Sequence, residues 1–235
     1  MQPDRLTLQT HAIDFWLARG AIALTAALNL FLVNRLSIVP SWLASSVEIA
    51  MLAPLSIATA WTHGRIRQAT SDDHWNLIHL RRRVIRRMAI LLTAVVTVIN
   101  FEALFGVLQA LLHGTNGPSG QSLLIDALNI WFTNVVVFAL WFWNLDRGGP
   151  AMRGLATKGD IDFLFPQMVG NLPGKEAWTP GFIDYFYLSF TNATAFSPTD
   201  TMPLSSRSKL LMILESSVSL LTIGLVAARA VNILA

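Results

Sequence analysis

Five stretches of this chain, roughly 12–34, 41–62, 86–112, 122–145 and 207–234, are apolar over about the 20 residues that a helix needs to cross the hydrocarbon of a bilayer. No other feature constrains the fold so strongly. Lipid offers no water to backbone N–H and C=O groups, so a spanning segment closes its hydrogen bonds internally, as a helix or within a closed barrel. None of the five alternates apolar and polar residues as a barrel strand must. The sequence therefore predicts an all-α membrane protein with about five transmembrane helices. Composition agrees: 13% of residues are charged and 53% hydrophobic, against about 25% charged in soluble domains. Cysteine is absent, which excludes disulfides and thiolate metal sites. The first 19 residues mix charged and polar side chains with no short apolar core, so the first hydrophobic segment is expected to remain in the mature protein.

Arginine distribution sets the expected orientation. The connection 63–87 carries Arg65, Arg67, Arg81, Arg82, Arg83, Arg86 and Arg87, whereas His113 to Gln121 has neither Lys nor Arg. Positive residues stay on the cytoplasmic side, so the first connection is expected inside and the second outside. The arginine run is too dense for a voltage sensor and sits at a helix end; it reads as a topology anchor touching lipid phosphates. No nucleic-acid partner is expected. The chain divides into N-terminal membrane helices (1–121) and a second module (122–235). Within the latter, residues 146–180 are rich in Gly and Pro and read as an ordered loop.

Polar residues interrupt the apolar stretches. Glu48, Glu102 and Asp126 fall in the second, third and fourth, with Asn100, Asn129 and Asn134 nearby; Arg19, Glu215 and Arg229 fall in the first and last. At membrane depth such groups are expensive unless paired or wetted. They either hold the bundle together by pairing or relay protons. No catalytic motif, phosphate loop or metal-ligand cluster is present, and the five histidines are scattered. The expectation is a non-enzyme with no cofactor and no metal.

The last part of the chain has a distinctive order. A short apolar segment (Gly181 to Thr194) is too short to span; a polar turn (Ala195 to Pro203) and a long helix from near Ser205 follow. A short helix that returns on a polar strand is tolerated at membrane depth only where protein or a water-filled cavity surrounds it. This order resembles the pore module of the tetrameric potassium-channel superfamily, in which an aromatic-rich pore helix ends in Thr-Thr-Val-Gly-Tyr-Gly-Asp before a Pro and the inner helix. Aligned on Asp200 and Pro203, the filter positions become Thr194, Ala195, Phe196, Ser197, Pro198, Thr199 and Asp200, with Thr201 following. The chain also resembles a bacterial family of uncharacterised multi-span membrane proteins, through its Gly-Gly…Phe-Pro loop, its Tyr-Phe-x-x-Ser-Phe helix and the Asp before the last span.

The resemblance implies about five spans plus one re-entrant, pore-like helix and loop. It further implies a homotetramer in the bacterial inner membrane that conducts a small ion. The turn lacks the glycines that let filter carbonyls face an ion, and Pro198 fixes one backbone angle. The lining implied is hydroxyls (Thr194, Ser197, Thr199, Thr201) with the Asp200 charge, not a potassium filter. With 63–87 inside, this loop faces the cytoplasm, inverted relative to potassium channels. The alternatives are a helix cap at Asp200 or Ser205, and a non-conducting or transporter-like protein whose intramembrane polar residues serve packing.

Overall fold

The computed structural model describes residues 5–31, 42–43, 45–50, 52–53, 72–113, 120–150, 161–169, 178–194 and 200–234. They are mostly helical. We name the helices α1 (Arg5–Phe31), α2 (Asp72–His113), α3 (Gly120–Leu145), α4 (Phe182–Thr194) and α5 (Ser206–Leu234). Four contain windows long and apolar enough to cross a membrane: Ile13–Phe31, Arg83–Ala110, Gln121–Gly148 and Ser206–Ala227. The second expected span, 41–62, lies largely outside the described residues; its residues 45–50 are helical.

α3 is the hub. Of its window 72% is buried, against 33% at most in the other three, and α1, α2, α4 and α5 all pack on it. Its sequence fits this, because Asp126, Asn129, Thr133 and Asn134 are buried on it, and polar groups at membrane depth turn to protein, not lipid. Val135 to Leu140, Phe142 and Trp143 are all buried. An aromatic chain runs from this helix into its neighbours: Phe15–Trp143 (5.5 Å), Trp143–Phe182 (5.2 Å) and Phe142–Phe163 (5.0 Å). Such tilted and edge-to-face pairs add about 0.5–1.5 kcal/mol each beyond burial.

At the C-terminal end of α3 the chain reverses sharply. Arg147 has φ 54°, and Gly148 and Gly149 both have φ 79°. Only glycine fits at 149, where a Cβ would lie 2.6 Å from the Asn144 carbonyl oxygen. Asp146, fully buried, then ties three segments together. Its Oδ1 accepts from the Asp162 amide (2.7 Å) and its Oδ2 from the Tyr185 hydroxyl (2.5 Å). Asp162 in turn is gripped by both prongs of Arg207, each at 2.7 Å. Its carbonyl accepts the Leu204 amide at 2.8 Å. Here strand β1 (Phe163–Leu164) pairs antiparallel with β2 (Met202–Pro203).

Two expectations change. The arginine run is not a connection from 72 onward: α2 begins at Asp72 and carries it within a single helix of 42 residues. The Gly/Pro-rich loop contributes a strand, where no strand was expected. Two residues are too few for a period-2 pattern to show; tertiary hydrogen bonding makes the pair, not propensity.

Candidate functional site

Interest centres on α4 and what it touches. Its start is fixed from two directions: the Gly181 amide donates to Asp184 Oδ2 (2.7 Å) and the Phe182 amide donates to Asp14 Oδ1 of α1 (3.1 Å). Amides at a helix N-terminus have no intrahelical partner, so a carboxylate from another helix serves as their cap. Gly181 makes room for it, since a Cβ there would lie 2.4 Å from Asp14 Oδ1.

From that end α4 runs along α3. Tyr185 reaches Asp146 beside the reversal, Ser189 donates to the Val135 carbonyl (2.7 Å), and Phe190 meets the Trp131 ring. Its polar face then engages α5. Glu215, wholly buried, meets the same Ser189 hydroxyl on one oxygen, so that its single proton is shared with the Val135 carbonyl, and accepts from the Asn192 amide on the other (2.6 Å). Ser216 donates to Asn192 Oδ1 (3.1 Å), and Asn134 of α3 donates to Ser219 (2.9 Å). A buried carboxylate with both oxygens partnered is a cross-link, and this one holds the far half of α4 against α5 and α3.

The expected filter residues fare differently. Ala195, Phe196, Ser197, Pro198 and Thr199 lie outside the described residues. Thr194 ends α4 with its hydroxyl turned back onto the carbonyls of Phe190 (3.0 Å) and Thr191 (3.1 Å). Asp200 is exposed and Thr201 is buried. Ser205 caps α5: its hydroxyl accepts the Ser208 amide at 3.2 Å. The capping role expected at Asp200 or Ser205 thus falls to Ser205.

Of the intramembrane polar residues, Asn134 and Glu215 come together. Glu48 and Asn129 meet through Asn29, which donates to Glu48 Oε1 (2.6 Å) and accepts from the Asn129 amide (2.6 Å). Glu102 is half-buried, Asp126 is buried on α3, and the Arg229 side chain lies outside the described residues. Among the described residues no three His, Cys, Asp or Glu side chains converge on a metal position. The sequence reading missed Asn29, Asp146, Asp162, Tyr185, Ser189 and Asn192. For Ser189 and Asn192 a signal existed: polar residues three apart on a short apolar helix share a face.

The chain matches no family model, no curated protein and no solved structure.

Proposed function

We propose that this is a channel-like protein of the bacterial inner membrane, whose C-terminal module forms an inverted pore loop in a homotetramer. In this reading α4 is the re-entrant helix and residues 194–201 border the constriction. One observation carries it. α4 has 13 residues, about 20 Å of helix, and cannot span. It begins beside Asp14 and Trp143, descends to the level of Glu215, and by Leu204 the chain is again at Asp162, the end from which it started. Arg86 reaches the Asn144 carbonyl at that end (3.4 Å), so the arginine-rich part of α2 shares it, which supports a cytoplasmic entrance. α3 and α5 cover one side of α4 and Asp14 of α1 caps its start, while Ile183, Tyr187 and Phe190 stay exposed in a single chain; neighbouring copies would cover that side, as non-spanning backbone at membrane depth requires.

One loop lines a quarter of such a pore, so four copies are required. Four Asp200 charges around an axis would concentrate cations at a low-dielectric mouth, and the hydroxyls behind them would pass a partly hydrated small ion. Reconstituted protein is expected to run as a tetramer in mild detergent and to release a cation gradient from liposomes. Asp200→Asn and Thr199→Val should each slow that release with assembly intact. Well-folded protein that conducts nothing, or Asp200→Asn conducting at the original rate, overturns the reading.

A non-conducting or transporter-like role is the second reading, and the complete pairing of Glu215 favours it. A dimer in detergent with no flux would select it.

A further inference from the structure

We propose that Glu48, Asn129 and Thr133 form a binding site for a small monovalent cation between α1, helical residues 45–50 and α3, separate from the pore loop. Asn29 organises it. Its side chain spends its amide on Glu48 Oε1 and its carbonyl on the amide of Asn129, each at 2.6 Å. Each neighbour is thereby oriented with its other oxygen left over. Glu48 Oε2 and Asn129 Oδ1 are buried and have no hydrogen-bond partner, although Glu48 is only 2% exposed.

Thr133 supplies the third oxygen. It lies one turn beyond Asn129 on α3, which puts the two residues on the same face of that helix. Threonine hydroxyls inside helices commonly bond back to the carbonyl four residues earlier. Thr25, Thr93, Thr97, Thr191, Thr194 and Thr222 all do so here. Thr133 is buried and does not; its hydroxyl has no partner. Among the helical threonines whose side chains are described, it alone is held in reserve.

The donor set decides the ligand class. One carboxylate, one amide carbonyl and one hydroxyl are hard oxygen donors, which suit alkali or alkaline-earth ions over zinc or copper. A single negative charge is balanced by a single positive one, so a monovalent ion leaves no net charge buried. Asn29 does not touch the ion; it positions the two groups that do.

The test uses the full-length protein in detergent, with thermal unfolding followed against LiCl, NaCl or KCl at an ionic strength held constant with choline chloride. Radiosodium binding is measured in parallel. Expected is saturable stabilisation by at least one of the three ions. Asn29→Ala should weaken its affinity about 10–100-fold, as loss of an orienting partner does at other ion sites. Thr133→Val, which leaves the Asn29 bonds in place, should weaken it measurably, and Glu48→Gln should abolish it. Asp200→Asn should leave it unchanged, which separates this site from the pore loop. A non-saturating response to all three salts, or equal affinity in wild type and Thr133→Val, overturns the proposal. So does a Glu48→Gln protein that keeps the wild-type ion dependence.

Discussion

Gly181 and Asp14 belong to segments far apart in sequence, yet each makes the other possible. Adding one methyl at 181 would displace the Asp14 carboxylate and with it the cap on the Phe182 amide. Gly181→Ala should therefore cost about 0.5–2 kcal/mol, the range for losing an N-cap, and Asp14→Ala about the same. Because both remove one interaction, the double variant should cost little more than either single one. Thermal melts of the three proteins check this; additive losses would mean the two side chains act separately. At this scale the sequence was half legible. Glu48, Asn129, Asn134 and Glu215 stand out because carboxylates and amides are rare inside apolar runs. Asp146, Asp162 and Tyr185 do not, because they fall at span ends and in a loop, where polar residues are ordinary. Hydropathy gives a residue's depth; it says nothing of the direction it faces around the helix.

Among elements, the decisive junction joins the loop after α3 to the start of α5. Arg207 grips Asp162 with two parallel bonds, while Asp162 is almost wholly buried and Arg207 half-exposed. Arg207→Ala would leave a desolvated carboxylate short of two donors, a loss of about 1–3 kcal/mol. Arg207→Lys should recover only part of it, since an ammonium cannot supply a planar fork. Asp162→Asn combined with Arg207→Ala should be milder than Arg207→Ala alone. Unfolding midpoints of the set test this, and equal stability of the Lys variant and wild type would show that charge alone suffices. Four spanning helices were readable from hydropathy and length. The boundary of α2 was not: hydropathy marks where lipid begins, and the helix continues past that point through its arginines to Asp72. The β1–β2 pair was unreadable for a related reason, since its bonds join residues about 40 positions apart.

Across the whole molecule, the reversal after α3, the start of α4 and the N-terminus of α5 cluster at one end, with Arg86 beside them. This arrangement ties the sidedness of one segment to that of the others. A cysteine placed at Gln68 should be labelled from the cytoplasm, one at Asn116 from the opposite side, and one at Gly159 from the cytoplasm again. Labelling of Gln68 and Gly159 from different sides would refute the shared end. The outward faces of α5 carry Leu210, Ile213, Leu220 and Leu221, all exposed in a single chain and suited to lipid or to neighbouring copies.

The central position of α3 also has a meaning in time. A ribosome delivers α1 and α2 to the bilayer before the helix on which both of them pack has been synthesised. Until α3 emerges, the early helices have their lipid-facing surfaces satisfied and their inward ones waiting, with the Asn29 side-chain carbonyl lacking its later donor Asn129. Assembly is thus timed by the arrival of one segment. A chain arrested before residue 120 would be an inserted but unconsolidated intermediate, the form that membrane proteases and insertion chaperones meet first.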